Sequence, residues 1–497
     1  MSAMMAWIRS SAARRTVIGT LALCGVLVAA TAAVVDVNSS ACPFDAIAIE
    51  PGNSIQAAVD LAGEGAVFCL KKGVHRAQAI RPRAGQMFFG ESGSGTVLNG
   101  SRLLDGFSRE KSYWVASSPL QHLPRHGECL RRAPACDQPE AVFIDDKPLT
   151  KVPSKDALAS NEVYIDYAAG KVYLADDPTN RKVEVTIAAF AFESNAPDVV
   201  ISHLTVEKYG NQAQKGAIHA GEGARWTIEN CVVRLNSGGG IGVGTGSRVH
   251  DCDIHHNGQI GINGNGDNIL IEDNHIWSNN IYGFDPEWEA GGAKIAESNG
   301  VIFRDNLVYD NDGPGLWCDI ECHDAVYEQN LVENNRYIGI FHEISFKAEI
   351  RHNVVRHNGT AKRKWFWGSD IVVAASQDVR VTDNVVEVAP GGCAIMLLDQ
   401  GRRAEDGREY KTQNNIVTAN EMTFQDAACA GAASDTGSFD PNFDIIDSGS
   451  NRFDGNTYRV PRRAEAPRLA WGRDVTDWNG FRRKGQEQSG RLVLSDK

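Results

Sequence analysis

The chain has 497 residues, of which 42% are hydrophobic and 49 are glycine, so it is long and apolar enough to bury a large core. Acidic residues outnumber basic ones by 63 to 50, and the formal net charge is -13. A surface of that sign disfavours nucleic acid as a partner.

The N-terminal 35 residues have the layout of an export signal. A basic segment ends at Arg15, an apolar run covers residues 16–33, and the small residues at 30–32 offer a cleavage site. An uncleaved membrane anchor is the alternative, because about 20 apolar residues can span a bilayer. We therefore expect a secreted or periplasmic protein whose contact with a membrane is limited to this leader.

Residues 42–106 are predicted to form an N-terminal cap and the first coils of a repeating structure. Ser54 precedes the sequence IQAAV at residues 55–59, which is the pattern of an amphipathic helix with an N-terminal cap. A stack of coils needs such a cover, because its end exposes core and unpaired strand edges.

Residues 107–190 are predicted to form a β-rich insertion that leans on the coils. Strand-like runs at 163–167 and 171–174 flank Ala168-Ala169-Gly170, which is the pattern of a β-hairpin. The insertion interrupts the glycine-punctuated pattern of the first coils.

Residues 426–497 are predicted to be a C-terminal cover. Residues 191–425 contain a degenerate repeat, in which equivalent asparagines are spaced 21, 22, 32, 24 and 23 residues apart. They are Asn236, Asn257, Asn279, Asn311, Asn335 and Asn358. A period in the low twenties with short Val/Ile strands indicates a chain that coils and stacks on itself. Stacked amides would lie about 4.8 Å apart and form hydrogen-bonded ladders. The predicted fold is all-β, a single right-handed parallel β-helix.

Ten of the eleven cysteines follow the leader, which suits an oxidising compartment. Nearness in sequence predicts two disulfides, Cys42–Cys69 and Cys129–Cys136. Cys231 and Cys252 occupy equivalent positions of neighbouring repeats, where either a third disulfide or two buried thiols would fit. No cysteine pattern indicates a zinc site.

The sequence is similar to bacterial secreted proteins of the pectate-lyase-like superfamily of right-handed parallel β-helices. The similarity covers nearly the whole mature chain and rests on four motifs. They are the cap at 54–59, WEAGG at 288–292 with Lys294, GPGLW at 313–317 with Asp319, and HEIS at 342–345. The resemblance implies the fold. It leaves the activity open, because the superfamily includes polysaccharide lyases, glycoside hydrolases, uronate epimerases and proteins with no assigned chemistry.

Two breaks of the repeat indicate where a functional groove lies. The interval after Asn279 is about ten residues too long and contains Asp285, Glu287, Trp288 and Glu289. The interval after Asn358 is also long and begins at the same point of the coil. Its excess contains Lys362, Arg363, Lys364, Trp365 and Trp367. Two loops should therefore leave one edge about 14 Å apart, as an acidic wall and a basic, aromatic wall. Two separate surface insertions are the alternative.

Strand alternation predicts which side chains form the floor of this groove. Aligning residues 292–296, 315–319 and 339–343 places Ala293, Leu316 and Ile340 inside the coil. The same alignment points Lys294, Trp317 and Phe341 outward in one column and Asp319 and Glu343 outward in another. His219 and Asn263 extend the Lys294 column as substrate-binding candidates. His342 has inward parity and is either a catalytic residue or a hydrogen-bonded core histidine.

The Asp319–Glu343 pair permits three kinds of chemistry. Two carboxylates about 5 Å apart cannot both ionise without cost, so we expect one raised pKa or a bound cation. In a glycoside hydrolase one carboxyl is the acid and the other the nucleophile or base. In β-elimination or epimerisation of uronates, Asp319 and Glu343 would hold a Ca²⁺ ion or the substrate carboxylate region, and Lys294 would remove a proton if its pKa is depressed. Asp285, Glu287 and Glu289 are further candidate ligands for Ca²⁺. In the third case Asp319 and Glu343 are two solvated acids on a scaffold.

We therefore expect a carbohydrate-active enzyme that acts on an extended polysaccharide. The aromatic residues Trp288, Trp317, Trp365 and Trp367 suit sugar stacking, and the basic loop suits an anionic glycan. Lyase or epimerase chemistry is the leading hypothesis and glycoside hydrolysis the second. The competing class is a non-catalytic glycan-binding or envelope-structural β-helix, since aromatic grooves serve binding as well as catalysis.

Overall fold

A computed structural model describes residues 42–92, 95–118, 120, 122–221, 225–361, 365–436, 444–462 and 464–495. The predicted export signal lies outside the described residues, and so do Lys362, Arg363 and Lys364. No helix in the described ranges is long and apolar enough to cross a membrane.

Three long sheets run along the molecule, because each coil contributes one short strand to each sheet. Strands pair in parallel from coil to coil, with one antiparallel strand at the end of the second sheet. In the described residues the first sheet contains Ile47–Ile49, Val67–Leu70, Met87–Gly90, Val200–Ser202, Thr227–Glu229, Arg248–His250, Leu270–Glu272, Ile302–Arg304, Ala325–Glu328, Ala348–Arg351, Val379–Thr382, Ile416–Thr418 and Arg452–Asp454. The second, here called the groove sheet, contains Phe192–Ser194, Gly216–Ala220, Gly239–Val243, Ile260–Asn265, Gly291–Ala296, Leu316–Asp319, Ile340–Glu343, Ser369–Ala374, Cys393–Asp399, Cys429–Ser434, Arg468–Gly472 and Asp474–Thr476. The third contains Gly73–Arg76, Thr96–Asn99, Thr205–Glu207, Val232–Arg234, Asp253–His255, His275–Trp277, Leu307–Tyr309, Leu331–Glu333, Val354–Arg356, Val385–Val388, Glu421–Phe424, Thr457–Pro461 and Arg491–Ser495.

Short helices cover the ends of the stack. The predicted cap is the helix Ile55–Leu61, in which the Ser54 hydroxyl accepts a hydrogen bond from the Ala57 N–H at 3.1 Å. The helices Ile445–Ser448 and Trp478–Arg483 lie near the other end. Regular stacking continues past the predicted limit at residue 425, because strands after that residue extend all three sheets.

The insertion folds as two small sheets. The hairpin is present as predicted, with Glu162–Asp166 antiparallel to Lys171–Leu174. The four-stranded sheet contains Ser101–Leu103, Val142–Ile144, Lys147–Pro148 and Val183–Thr186, and the five-stranded sheet contains Ser108–Glu110, Tyr113–Ser117, Thr150–Lys151, Glu162–Asp166 and Lys171–Leu174. A single turn of 3₁₀ helix occupies Lys155–Ala157.

Buried amide ladders hold the coils in register. Asn311 donates from Nδ2 to Asn335 Oδ1 at 2.8 Å, and the same bond repeats between successive members of the predicted series. Asp370 ends this ladder by accepting from Asn358, and burial raises its pKa well above the ordinary value. A second ladder runs between the first and third sheets through Asn274, Asn306, Asn330, Asn353, Asn384, Asn420 and Asn456.

The cysteines agree in part with the predicted pairing. Both predicted disulfides, Cys42–Cys69 and Cys129–Cys136, are present. A third bond, Cys393–Cys429, was not predicted and joins two strands of the groove sheet. Cys231 and Cys252 are buried thiols, which is the second of the two arrangements considered above.

Candidate functional site

The outward face of the groove sheet carries the predicted column of side chains. Lys294 pairs in register with Asn263 on one side and with Trp317 on the other, and Phe341 follows Trp317. On the other side of Asn263 the column continues through Gly242 to His219. The predicted alignment of the strands is therefore confirmed residue by residue.

A groove of about 1190 Å³ follows this column along the axis of the coils. Its lining extends from the strand of Glu193 to the strand of Glu343, which is six strand spacings or roughly 29 Å. An adjoining cavity of about 630 Å³ shares Glu287, Trp317 and Glu343 with it. The two cavities form one continuous trough, long enough for several units of an extended chain molecule.

A lysine held between two carboxylates lies at the centre of the trough. Lys294 Nζ is 2.9 Å from Asp319 Oδ2 and 3.4 Å from Glu289 Oε2. The same ammonium lies 4.0 Å from the centroid of the Trp317 ring. Lys294, Asp319 and Glu289 are each no more than 7% exposed, so solvent screens these interactions weakly.

These contacts keep Lys294 in its charged form. Burial alone would lower its pKa, but the charges of Asp319 and Glu289 outweigh burial and hold the pKa above 10.5. β-Elimination through Lys294 requires the opposite shift, because only a neutral amine can take a proton. The condition for that chemistry, a depressed pKa of Lys294, is therefore not met in this arrangement.

Glu343, on the strand after Asp319, has a different environment. Burial and the Asp319 carboxylate raise its pKa to about 7, although Gln400, Arg402 and Lys294 oppose the rise. Gln400 Nε2 donates to Glu343 Oε1 at 3.0 Å, and the Arg402 guanidinium lies 3.7 Å from the same oxygen. The sequence analysis expected one of the two carboxyls to have a raised pKa, and Glu343 is that carboxyl.

Several polar groups in the trough lack a partner. Among the described residues, four such buried atoms belong to its lining: His219 Nδ1, Asn263 Oδ1, Trp317 Nε1 and Gln400 Oε1. An unpaired buried polar atom costs about 1–3 kcal/mol, so the arrangement favours a ligand that completes these hydrogen bonds.

Each of the two predicted loops contributes a tryptophan to the lining of the trough. Trp288 lines the larger cavity and packs edge-on against His126 of the insertion. Trp367 lines the smaller cavity and packs edge-on against Phe341 at 6.2 Å. Trp365 is 40% exposed, contacts Phe366, and does not belong to the lining of either cavity. The predicted basic wall at 362–364 falls outside the described residues.

His342 does not face the groove and is corrected to a core residue. It is fully buried, and burial lowers its pKa to about 4. Its Nε2 lies 2.6 Å from the Phe346 carbonyl oxygen and its Nδ1 lies 3.3 Å from the Tyr327 hydroxyl. Inward strand parity places it there, so a catalytic role for His342 is not supported.

The predicted metal cluster is also not formed. In the part of the chain that the structure describes, no group of three His, Cys, Asp or Glu side chains could hold a metal ion. Asp285 Oδ1 accepts a hydrogen bond from the Glu287 backbone at 2.9 Å, whereas Glu289 points to Lys294 and Gln214. Asp285 and Glu289 therefore have different partners, and within the described residues the three acids do not form the predicted calcium site.

Four residues of the site were missed by the sequence reasoning. Gln214 donates to Glu289 at 2.9 Å, and Lys215 lies 3.1 Å from His219. Gln400 and Arg402 come from a loop that follows the strand Cys393–Asp399. A signal for this loop was present, because successive ladder asparagines there are 36 residues apart.

The comparisons with known proteins agree with this architecture. A family model described as "Right handed beta helix region" matches residues 215–386, about a third of the chain. A structure titled "The complex structure of XylC with xylose" is similar with a TM-score of 0.65 at 14% identity, over 89% of this chain and 83% of that one. The A-module of the mannuronan C-5 epimerase AlgE6 from Azotobacter vinelandii gives a TM-score of 0.49 at 15% identity, over 89% of this chain and 93% of that module. A comparison with curated protein sequences gives no match.

The fold is thus a right-handed parallel β-helix. This defines the architecture of the molecule, whereas its activity has to be argued from the groove.

Proposed function

We propose that this protein is an exported glycoside hydrolase that cleaves with retention of anomeric configuration, using Asp319 as nucleophile and Glu343 as acid and base. The observation that carries the proposal is the contrast between these two carboxyls on neighbouring strands. Asp319 is paired with a lysine at 2.9 Å, whereas the pKa of Glu343 is raised to about 7. Carboxyl pairs whose environments separate their pKa values have divided acid and nucleophile roles.

The spacing of the pair favours retention over inversion. Side chains from adjacent parallel strands leave the sheet about 4.8 Å apart. Retaining glycosidases hold their carboxyls about 5–5.5 Å apart, and inverting enzymes need more room to admit a water between them. Asp319 and Glu343 follow directly after the paired residues Cys318 and His342.

The reaction then follows in two steps. The Asp319 carboxylate attacks the anomeric carbon while Glu343 gives its proton to the departing glycosidic oxygen, and a glycosyl ester forms on Asp319. Glu343, now ionised, takes a proton from water, which attacks the same carbon and releases Asp319. Lys294 pairs with the Asp319 carboxylate and fixes its position.

Three further features support a sugar substrate and an extracellular setting. The trough is long and lined by Trp288, Trp317 and Trp367, whose apolar rings suit sugar faces. The XylC neighbour was captured with xylose, a support that rests on similarity of fold alone. Three disulfides agree with export through the predicted leader.

The leading hypothesis from the sequence, β-elimination or epimerisation of uronates, receives less support. It needs a neutral Lys294, and the two carboxylates beside Lys294 keep it charged. A screen on neutral and uronate polysaccharides distinguishes the chemistries. Hydrolysis gives new reducing ends without ultraviolet absorbance, and β-elimination gives both.

Paired variants test the roles of the two carboxyls. We expect Asp319→Asn to abolish hydrolysis, and Glu343→Gln to retain activity only on aryl glycosides whose leaving group needs no proton. Glu297→Gln is the matched control, because Glu297 lines the same cavity but is exposed and does not contact the pair. Full activity of Asp319→Asn would overturn the proposal, and so would inversion in the product observed by NMR. Glycan binding without any turnover would indicate a binding protein.

A further inference from the structure

The groove floor contains a second polar region, two to four strands away from Asp319. Gly242 is paired in register with His219 on one strand and with Asn263 on the next. Because Gly242 has no side chain, the His219 ring can lie over it. A Cβ at Gly242 would lie 2.3 Å from His219 Nδ1, so this position of the ring depends on glycine.

The protonation state of His219 follows from its neighbour. Lys215 Nζ lies 3.1 Å from His219 Nε2, and an ammonium can only donate, so Nε2 accepts and the ring proton resides on Nδ1. Burial and the charge of Lys215 lower the pKa of His219 to about 4, which keeps the ring neutral. His219 therefore presents an N–H donor at Nδ1 that has no partner among the described residues.

Asn263 presents the complementary group. It is 4% exposed and lines the cavity, and its Oδ1 has no hydrogen-bond donor within the described part of the chain. The floor of the groove thus offers one unused donor over Gly242 and one unused acceptor beside Gly239 of the same strand.

We infer that His219, Gly242 and Asn263 form a subsite that binds hydroxyl groups of a sugar, at a distance from the bond that is cleaved. A hydroxyl can accept from His219 Nδ1–H, and a hydroxyl can donate its proton to Asn263 Oδ1. A carboxylate can accept from His219 but has no proton for Asn263, and an ammonium cannot accept at all. The subsite therefore recognises sugar hydroxyls and not a charged substituent at this position.

This inference deepens the proposed function, and it rests on that proposal for the position of the cleaved bond at Asp319 and Glu343. Asn263 lies two strands from Asp319, and His219 lies four strands away, roughly 19 Å along the axis. An aryl monoglycoside bound at the carboxylate pair would not reach His219. Only a substrate of several units would use the subsite.

The test compares long and short substrates in three variants. Asn263→Leu removes the acceptor and His219→Phe removes the donor. Gly242→Ala places a methyl group against the His219 ring and displaces it. We expect each to lower kcat/KM on a neutral hexasaccharide about tenfold or more while leaving an aryl monoglycoside of the same sugar unchanged. Asn265→Leu is the control, because Asn265 lines the same cavity at an exposed position of the same strand.

A binding measurement keeps the inference independent of turnover. Titration calorimetry of the Asp319→Asn protein with neutral xylo-, cello- and manno-hexaose and with an oligouronate should give binding of a neutral hexaose that Asn263→Leu weakens about tenfold. Hexaose binding that Asn263→Leu leaves unchanged, or equal loss on long and short substrates, would overturn the inference. If no substrate is hydrolysed but the neutral hexaose binds in this way, the hydrolase proposal fails and the subsite stands.

Discussion

Lys294 Nζ lies 2.9 Å from Asp319 Oδ2, on the neighbouring strand of the groove sheet. Each group neutralises the other at a site where both are nearly excluded from water. The ammonium therefore balances the charge of the proposed nucleophile and fixes its position, and Glu289 on the other side of the ammonium reinforces the charge of the lysine.

Removing the lysine should damage catalysis without removing a reacting group. We expect Lys294→Met to lower kcat about 100-fold, because Asp319 and Glu289 would be left as unpaired buried acids. Lys294 also lowers the pKa of Glu343, so the alkaline limb of the pH profile should move upward in the variant. Lys294→Arg, which keeps the charge, is the control for both effects. An unchanged pH profile in Lys294→Met would show that the lysine has only a structural role.

The pH dependence of kcat/KM should report on Glu343. As general acid it acts in the protonated form, so activity should fall as pH rises through about 7. Arg402 lowers the pKa of Glu343 and its side chain is half exposed, so Arg402→Gln should move the alkaline limb upward by about half a pH unit. A limb that stays in place would mean that another group sets it. Glu343→Gln should remove the limb altogether.

The asparagine ladders should be the most sensitive part of the scaffold. Asn311 donates to Asn335 and to the Ile276 carbonyl, and it accepts from Asn279. Asn311→Ala would leave these buried groups unpaired and should cost about 3 kcal/mol of the free energy of unfolding. Urea unfolding measures the loss. Asn265→Ala, at an exposed position, should be neutral, and equal effects of the two variants would contradict a ladder role.

The repeat made the scaffold predictable from the sequence. In a parallel stack each residue lies over its equivalent in the next coil, so the spacing of the asparagines fixed the strand register around Lys294 and Asp319. The same logic placed His342 inside the coil, and only the choice between its two roles was left open.

The electrostatics of the site could not be predicted in the same way. The pKa of Lys294 depends on the balance between burial and two carboxylates, of which Glu289 comes from a loop without repeat symmetry. Gln400 and Arg402 reach Glu343 from another loop, and His126 reaches Trp288 from the insertion. Periodicity carries no information about contacts of this kind.

A histidine that lies between two acids on the first sheet gives a prediction of how stability depends on pH. His250 lies 3.1 Å from Glu229 and 2.8 Å from Asp251, and these acids outweigh the opposing effect of burial and raise its pKa to about 9. The folded pKa is higher than the ordinary 6.5, so protonated His250 stabilises the fold fully below about pH 6.5. That contribution disappears as pH rises through about 9.

The matched variant is His250→Gln, which keeps hydrogen-bonding capacity and removes the charge. At pH 6 it should be less stable than the natural protein by about 1 kcal/mol, the size expected for a partly solvated ion pair. The difference should shrink above pH 9, where the natural histidine is also neutral. Thermal unfolding of both proteins at pH 6 and pH 9.5 measures this, and because other groups titrate equally in the two proteins, the difference isolates His250. A deficit of equal size at both pH values would show that His250 stabilises the sheet by packing and not by its charge.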